Sequence, residues 1–317
     1  MKKYCLVLEG GGAKCAYQNG ALEVLERAGF KFNAVSGTSF GALNAAMYLE
    51  GKNERLTKFW DNLNPGEMFG DEKLNDIFTD LYHKKVSIEK ENLKFLIDGL
   101  KNVSQVHDQI STGYFNTIAS NVNEKAIRQS NNDLVIVTCK LPSTKDILFK
   151  GIKKLFTPAE SFAEFFKPDY EKFFFNSLDM EPLVLAKEDI EEGKLPSFVC
   201  ASASIPPFKQ MEIDGVRYYD GGAYDNCPVD CMIKRGYKDF VVIRTNPGMI
   251  EEVEDHNYLI IAPKNSLGSC AMFARENIKD LKKQGCLDAL AIIDEVKKHN
   301  IIWKIRRKKI VKSLENA

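Results

Sequence analysis

Histidine is scarce in this chain: four in 317 residues, none in a stretch that reads as a catalytic or metal-binding motif. General-base chemistry therefore has few imidazoles to draw on, and His83 and His107 read as solvent-facing or capping residues. Long apolar runs are missing too. Nothing approaches the ~20 residues that cross a bilayer, and the short apolar run at residues 4–8 falls far below an export-signal core. Charge of one sign is also absent. Forty-four lysines and arginines offset 44 aspartates and glutamates, so no overall field draws the chain to nucleic acid. The eight cysteines are scattered, mostly among apolar neighbours, which implies reduced thiols and a cytoplasmic setting. Cys227 and Cys231 stand four apart with no histidine close in sequence, against a zinc site. No calcium-ligand set is evident, and no metal or other cofactor is expected.

What is present concentrates in the first forty-odd residues. An apolar run at residues 4–8 empties into Gly10-Gly11-Gly12 and reads as a strand buried on both faces. Residues 16–28 place Leu22, Leu25 and Ala28 on one stripe beside Glu23, Glu26 and Arg27, which is amphipathic helix spacing closed by Gly29. A second short strand then reaches Gly37-Thr38-Ser39-Phe40-Gly41. Strand, helix and strand within about 35 residues form a βαβ unit with parallel strands. Both glycine turns then lie at the carboxyl ends of those strands, where open α/β sheets bind ligands. Three successive glycines bring backbone N–H groups close to an anion. Gly-x-Ser-x-Gly sets a serine on a tight strand-to-helix turn, hydroxyl exposed, with the Phe40 N–H able to face an oxyanion. Taken alone, the glycine loop also suits a nucleotide phosphate. That reading requires an acidic residue about 20 positions on, where this chain has Val35-Ser36-Gly37.

Leu8-Glu9-Gly10-Gly11-Gly12-Ala13-Lys14, then Ala16-Tyr17-Gln18-Asn19-Gly20-Ala21-Leu22, then Gly37-Thr38-Ser39-Phe40-Gly41-Ala42-Leu43-Asn44-Ala45-Ala46, resembles the opening of patatin-like phospholipases. Ala201-Ser202-Ala203-Ser204-Ile205-Pro206 is similar as well, and so is Asp220-Gly221-Gly222 followed by Asn226 and Pro228. The resemblance spans residues 5–228. It implies a serine–aspartate dyad, with Ser39 as nucleophile and Asp220 as general base. Gly10, Gly11, Gly12 and Phe40 would form the oxyanion hole, supported by Lys14, Gly37, Gly41, Gly221 and Gly222. The implied activity is lipid acyl hydrolysis of the phospholipase A type through an acyl-enzyme, with a lipid or ester substrate. One position departs: the family's loop has glycine after the Lys or Arg, and here that residue is Cys15. A modest packing cost with activity retained is expected. Two alternatives stay open, a triad of Ser39, Asp220 and His256 in the chain order of α/β-hydrolases, and a lipid-binding protein without turnover.

The rest of the chain is expected to complete an α/β fold, a central mostly parallel sheet flanked by helices on both faces, the patatin-like three-layer sandwich. Residues 1–295 form the catalytic domain, with a helical insertion at about 61–130. Residues 41–60 continue as a helix ending at Gly51, and residues 115–127 carry another helical pattern, as do residues 89–100. Residues 133–139 read as a buried strand, and residues 147–150 could pair with a neighbour. Residues 195–204 read as a buried helix of small residues, and Asp214-Gly215 as a hairpin turn leading to Asp220. Residues 241–244 and 258–263 read as strands, followed by helices at 269–284 and 287–300. Residues 156–175 are rich in phenylalanine, either an apolar cluster under a long connection or a wall of the acyl pocket. The tail, residues 296–317, is basic. It reads equally as a helix lying on anionic lipid, giving peripheral membrane contact, and as a solvated helix docked through its isoleucines.

Overall fold

The computed structural model describes residues 4–70, 72–83, 103–141, 180–205 and 208–296. The readings on residues 89–100, 147–150 and 156–175, and on the tail beyond residue 296, lie outside the described residues. β1 (Tyr4–Leu8) and β2 (Phe32–Thr38) pair in parallel through a 3-10 turn (Gly12–Cys15) and helix α1 (Ala16–Arg27), giving the expected βαβ unit. Helix α2 (Phe40–Asn62) starts one residue after β2. As expected, the first helical stretch ends at Gly51, and a second one follows across a kink. The chain leaves helical geometry at Gly51 and Lys52 and resumes, because Leu56, Phe59 and Trp60 still have apolar surface to bury.

Helices α3 (Pro65–Phe69), α4 (Lys73–His83), α5 (Val103–Ser120) and α6 (Glu124–Gln129) follow. The pattern at 115–127 is thus two helices rather than one. Asn123 starts the second, its side chain accepting the Ala126 N–H at 3.1 Å. β3 (Asp133–Lys140) is buried almost throughout. β4 (Glu181–Ala186) and helix α7 (Leu195–Ser202) lead to a hairpin of β5 (Met211–Ile213) and β6 (Val216–Asp220). Its two turn residues, Asp214 and Gly215, both have positive φ, as a tight hairpin of matching twist requires. The last elements are α8 (Asp230–Lys234), β7 (Asp239–Ile243), β8 (Asn257–Ile261) and α9 (Arg275–Val296).

The sheet runs in the order β5-β6-β3-β2-β1-β7-β8, with β4 also on β3. β3, β2, β1, β7 and β8 are mutually parallel, and β4, β5 and β6 are antiparallel to their neighbours. Strand alternation splits the core in two. Leu6, Leu8, Val35, Ile136, Val241 and Ile243 pack under the residues of α1, α2, α5 and α9. Cys5, Val7, Ala34, Val135, Phe240 and Val242 face the other way, under α8. A partly open cavity of about 850 Å³ lies on that thinner face, lined by Val135, Ala186, Tyr224 and Arg244 among others.

α9 is one helix where the sequence suggests two, and Gly285 explains the difference. A Cβ there would stand 2.0 Å from the Tyr17 carbonyl oxygen, and one at Gly20 would stand 1.9 Å from that of Lys282. The glycine therefore serves close approach of α9 to α1 rather than a helix end.

Candidate active site

β3 is the ruler on which the site is laid out. Thr38, the last residue of β2, pairs with Val137, and Asp220, the last of β6, pairs with Thr138. β4 occupies residues 135–140 of β3, overlapping both partners, so β2 and β6 must share the opposite edge. β2 runs parallel to β3 and β6 antiparallel, and they meet head to head one residue apart along it. Ser39 and Asp220 leave the sheet at that junction. Two contacts fix it: the Thr138 hydroxyl donates to the Tyr219 carbonyl at 2.8 Å, and a Cβ on Gly221 would stand 2.0 Å from the Val137 carbonyl oxygen.

Ser39 sits with φ 56° and ψ −131°, a conformation costing a non-glycine residue ~1–3 kcal/mol. It is 7% exposed and Asp220 2%. The flanking glycines make the turn feasible. A Cβ on Gly37 would stand 2.3 Å from the Gly41 carbonyl, and one on Gly41 2.3 Å from that of Leu8. The Ser39 carbonyl already accepts the Ala42 and Leu43 N–H groups, so α2 directs its positive end at the serine. The Asp220 carboxylate is held through Oδ1, which accepts the Gly222 N–H at 2.8 Å.

The glycine loop lies against this junction, since a Cβ on Gly10 would come 3.2 Å from that of Ser39. The Gly10 N–H is donated to the Asn226 carbonyl at 2.9 Å, whereas the Gly11, Gly12 and Phe40 N–H groups bond to no partner among the described residues. Glu9 shapes the loop from beneath. Its buried carboxylate accepts the Thr245 N–H at 2.6 Å, the Asn246 N–H at 3.1 Å and the Arg244 guanidinium at 2.8 Å. Lys14 is buried too and reaches the Asn246 side chain at 2.9 Å. The segment after Asp220 docks on the strand ends. The Thr38 hydroxyl donates to the Asp225 carbonyl at 2.7 Å and that of Ser36 to Pro228 at 2.8 Å.

A family profile described as patatin-like phospholipase matches residues 6–233. The chain belongs to the patatin-like phospholipase family. VipD from Legionella pneumophila shares 12% identity with it at a TM-score of 0.48, over 93% of this chain and 67% of that one. The chain matches no curated protein. Family membership supports a lipid acyl hydrolase function. Cys15 adopts ordinary helical dihedrals, φ −68° and ψ −10°, so its position makes no demand for glycine. Its thiol is buried against the Glu9 carbonyl at 3.5 Å.

His256 is not part of this assembly. It precedes β8 at the amino ends of the parallel strands, with Nδ1 2.9 Å from the Glu254 carbonyl and its ring beside Phe240, whereas Ser39 lies at the carboxyl ends. His83 is exposed at the end of α4. The thiols nearby stay protonated at neutral pH: burial pushes Cys200 up to about 12, and burial with the Asp220 charge does the same for Cys139. Among the described residues no cluster of metal-ligating side chains occurs, and no helix is long and apolar enough to cross a membrane.

Sequence reasoning missed the polar groups that brace the site. Gln18 donates to the Glu9 carbonyl at 2.6 Å, Asn44 donates to Gln18 at 2.8 Å, and Trp60 donates to Asn44 at 3.0 Å, all fully buried or nearly so. The available signal was a polar residue on the core stripe of an otherwise apolar helix. Ser202 is a second miss: its hydroxyl accepts the Ser39 N–H at 2.9 Å.

Proposed function

We propose that this chain is a serine-dependent lipid acyl hydrolase that works through a Ser39–Asp220 dyad and an acyl-enzyme. The observation that supports the reading is the head-to-head ending of β2 and β6 on β3, which brings the strand ends that carry Ser39 and Asp220 together beside the glycine loop. Asp220 accepts the Ser39 proton as Oγ attacks the ester carbonyl. Gly11, Gly12 and Phe40 offer N–H groups to the oxyanion, each worth ~3 kcal/mol. Gly10 contributes shape rather than a donor, because its N–H is committed to Asn226. Asp220 returns the proton to the departing alcohol or lysophospholipid. It then takes a proton from the water that attacks the acyl-enzyme and passes it to Ser39 Oγ as the C–Oγ bond breaks and the fatty acid departs.

The catalytic unit in this reading runs to about residue 295, beyond the family match, because α9 is seated on α1 through Gly20 and Gly285. A lipid substrate also implies contact with a lipid surface in a cytoplasmic setting. Sedimentation of the full chain with anionic against zwitterionic vesicles tests the part given to the basic tail.

The deciding experiment measures fatty acid release from phospholipid, glyceride and simple ester by the wild type, Ser39→Ala, Asp220→Ala and His256→Ala, with fluorophosphonate labelling of Ser39 alongside. Ser39→Ala and Asp220→Ala are expected to lose at least ~1,000-fold in kcat, and His256→Ala less than about twofold. Equal release by all four proteins would end the proposal, and selective loss in His256→Ala would replace the dyad with the triad.

A further inference from the structure

The last turn of α7 and the two residues after it hold the backbone of both members of the dyad. The Ser202 hydroxyl accepts the Ser39 N–H at 2.9 Å and donates to the Val137 carbonyl at 2.6 Å. Two residues on, the Ser204 carbonyl accepts the Asp220 N–H at 3.2 Å. The turn is itself fixed. Tyr114, whose hydroxyl stays protonated because burial and then the Asp220 charge raise its pKa, donates to the Ala203 carbonyl at 3.0 Å. The Ser204 hydroxyl donates back to Cys200 at 2.9 Å.

The Ser39 N–H occupies a place where regular structure offers it nothing. β2 has ended at Thr38 and α2 begins at Phe40, so neither a ladder nor a helix supplies an acceptor. Ser202, fully buried, fills that gap. A serine in a sparsely populated region of φ and ψ stays there only where its surroundings over-determine it. The peptide that Ser202 grips adjoins the one carrying the Phe40 N–H, so a single hydroxyl sets the direction of both Oγ and that donor.

We infer that Ser202 is a positioning residue whose hydroxyl, strung between the Ser39 N–H and the Val137 carbonyl, holds the nucleophile turn in its strained conformation. This rests on reading Ser39 as the nucleophile. Losing the hydroxyl lets the turn relax without touching the acyl-binding surface, so the loss falls on kcat rather than KM.

The test compares wild type, Ser202→Ala and Ser111→Ala. Ser111 is a matched control: a buried serine in α5 whose hydroxyl likewise accepts a backbone N–H, from Lys209 at 3.0 Å, but which takes no part in holding Ser39. Hydrolysis of p-nitrophenyl butyrate gives kcat and KM, and amide hydrogen exchange at Ser39 reports the bond directly. Ser202→Ala should lose roughly 30- to 300-fold in kcat with KM within about threefold, and its Ser39 amide should exchange at least about tenfold faster. Ser111→Ala should stay within about threefold on every readout while melting lower. Where Ser202→Ala fails to fold, Ser202→Cys keeps the bulk and weakens the acceptor, and about a tenfold drop in kcat is expected. Kcat or exchange in a Ser202 variant equal to that of Ser111→Ala overturns the inference. A wild type that neither hydrolyses the ester nor takes a fluorophosphonate overturns the acyl hydrolase reading instead, and Ser39 exchange then still decides whether Ser202 holds the turn.

Discussion

The two halves of the sheet contribute to the site by different routes. The parallel half, β1, β2, β7 and β8, supplies the glycine loop and Ser39 from one continuous βαβ unit, and its strand ends lie level because Leu8 pairs with both Gly37 and Ile243. The antiparallel half supplies Asp220 from a hairpin that approaches from the opposite direction. Only β3 belongs to both. The serine's position follows from local chain geometry, whereas the aspartate's depends on one register along β3 and on a glycine that lets the chain pass the Val137 carbonyl.

That difference can be broken at its most exposed point. Gly221→Ala puts a Cβ 2.0 Å from the Val137 backbone oxygen, which already accepts the Ser202 hydroxyl and belongs to a strand that β2 and β4 flank. The antiparallel half must move, and with it Asp220. The expected outcome is a loss of ~100-fold or more in kcat, since a displacement of about 1 Å costs that much, with the melting temperature several degrees lower. Gly215→Ala, in the same hairpin but with open space around it, should cost about 1 kcal/mol for its positive φ and leave kcat unchanged. Ester hydrolysis and thermal melts on the pair decide the matter, and equal kcat in the two variants would show that β3 does not set the dyad.

The parallel half breaks through its buried amides instead. Asn44→Ala strands the Trp60 N–H, Gln18 Oε1 and the bond to the Cys15 carbonyl together. A buried group left unpaired costs ~1–3 kcal/mol and three are affected, against a helix-propensity gain of ~0.5 kcal/mol, so a net loss of at least ~2.5 kcal/mol in urea unfolding is expected. Residual kcat per folded molecule should fall less than in Gly221→Ala, because the serine turn keeps its own constraints. A loss below about 0.5 kcal/mol would mean that the network is not coupled to stability.

The same asymmetry governed what could be read from residues alone. β1, α1, β2 and the serine turn are contiguous, so period, glycine placement and motif agree within one short stretch, and the hairpin before Asp220 announced itself through Asp214-Gly215. β4 did not, since Glu181-Pro182 opens it, Pro182 offers no donor, and half its residues face solvent, as edge strands do. The helix end at Gly51 was legible because local chemistry points that way, and apolar residues beyond it restart the helix. The break expected between residues 284 and 287 does not occur, because a neighbouring helix is pressed against Gly285. The roles of Ser202 and Thr138 were not legible for a simpler reason: their partners lie 163 and 81 residues away, and a hydroxyl in an apolar segment carries no periodic signal. The proposed pairing of Ser39 with Asp220 came from the family resemblance, and the register that brings their strand ends together lies in the fold, not in the sequence.

The smallest effect sharpens the comparison at the link between the halves. Asp225 lies on the segment that ties β6 to the end of β2, on the thin face beside the cavity. Burial, then the charges of Asp230 and Glu9, raise its pKa above the ordinary 3.8, against lowering by the Cys227 N–H and Lys234. The folded state therefore holds this proton more firmly than the unfolded chain does. Its favourable contribution is complete below pH 3.8 and is lost as pH rises through the folded value, so at neutral pH the ionised carboxylate works against folding. Asp225→Asn keeps an oxygen for the Cys227 N–H, now 3.1 Å from Oδ1, and drops the charge. Urea midpoints should show the variant more stable than wild type at pH 7, by less than about 1 kcal/mol, and equal to it near pH 3.5. An advantage of the same size at both pH values would place its origin in packing of the link rather than in the carboxylate's ionisation, and the thin face would then hold the two halves together by shape alone.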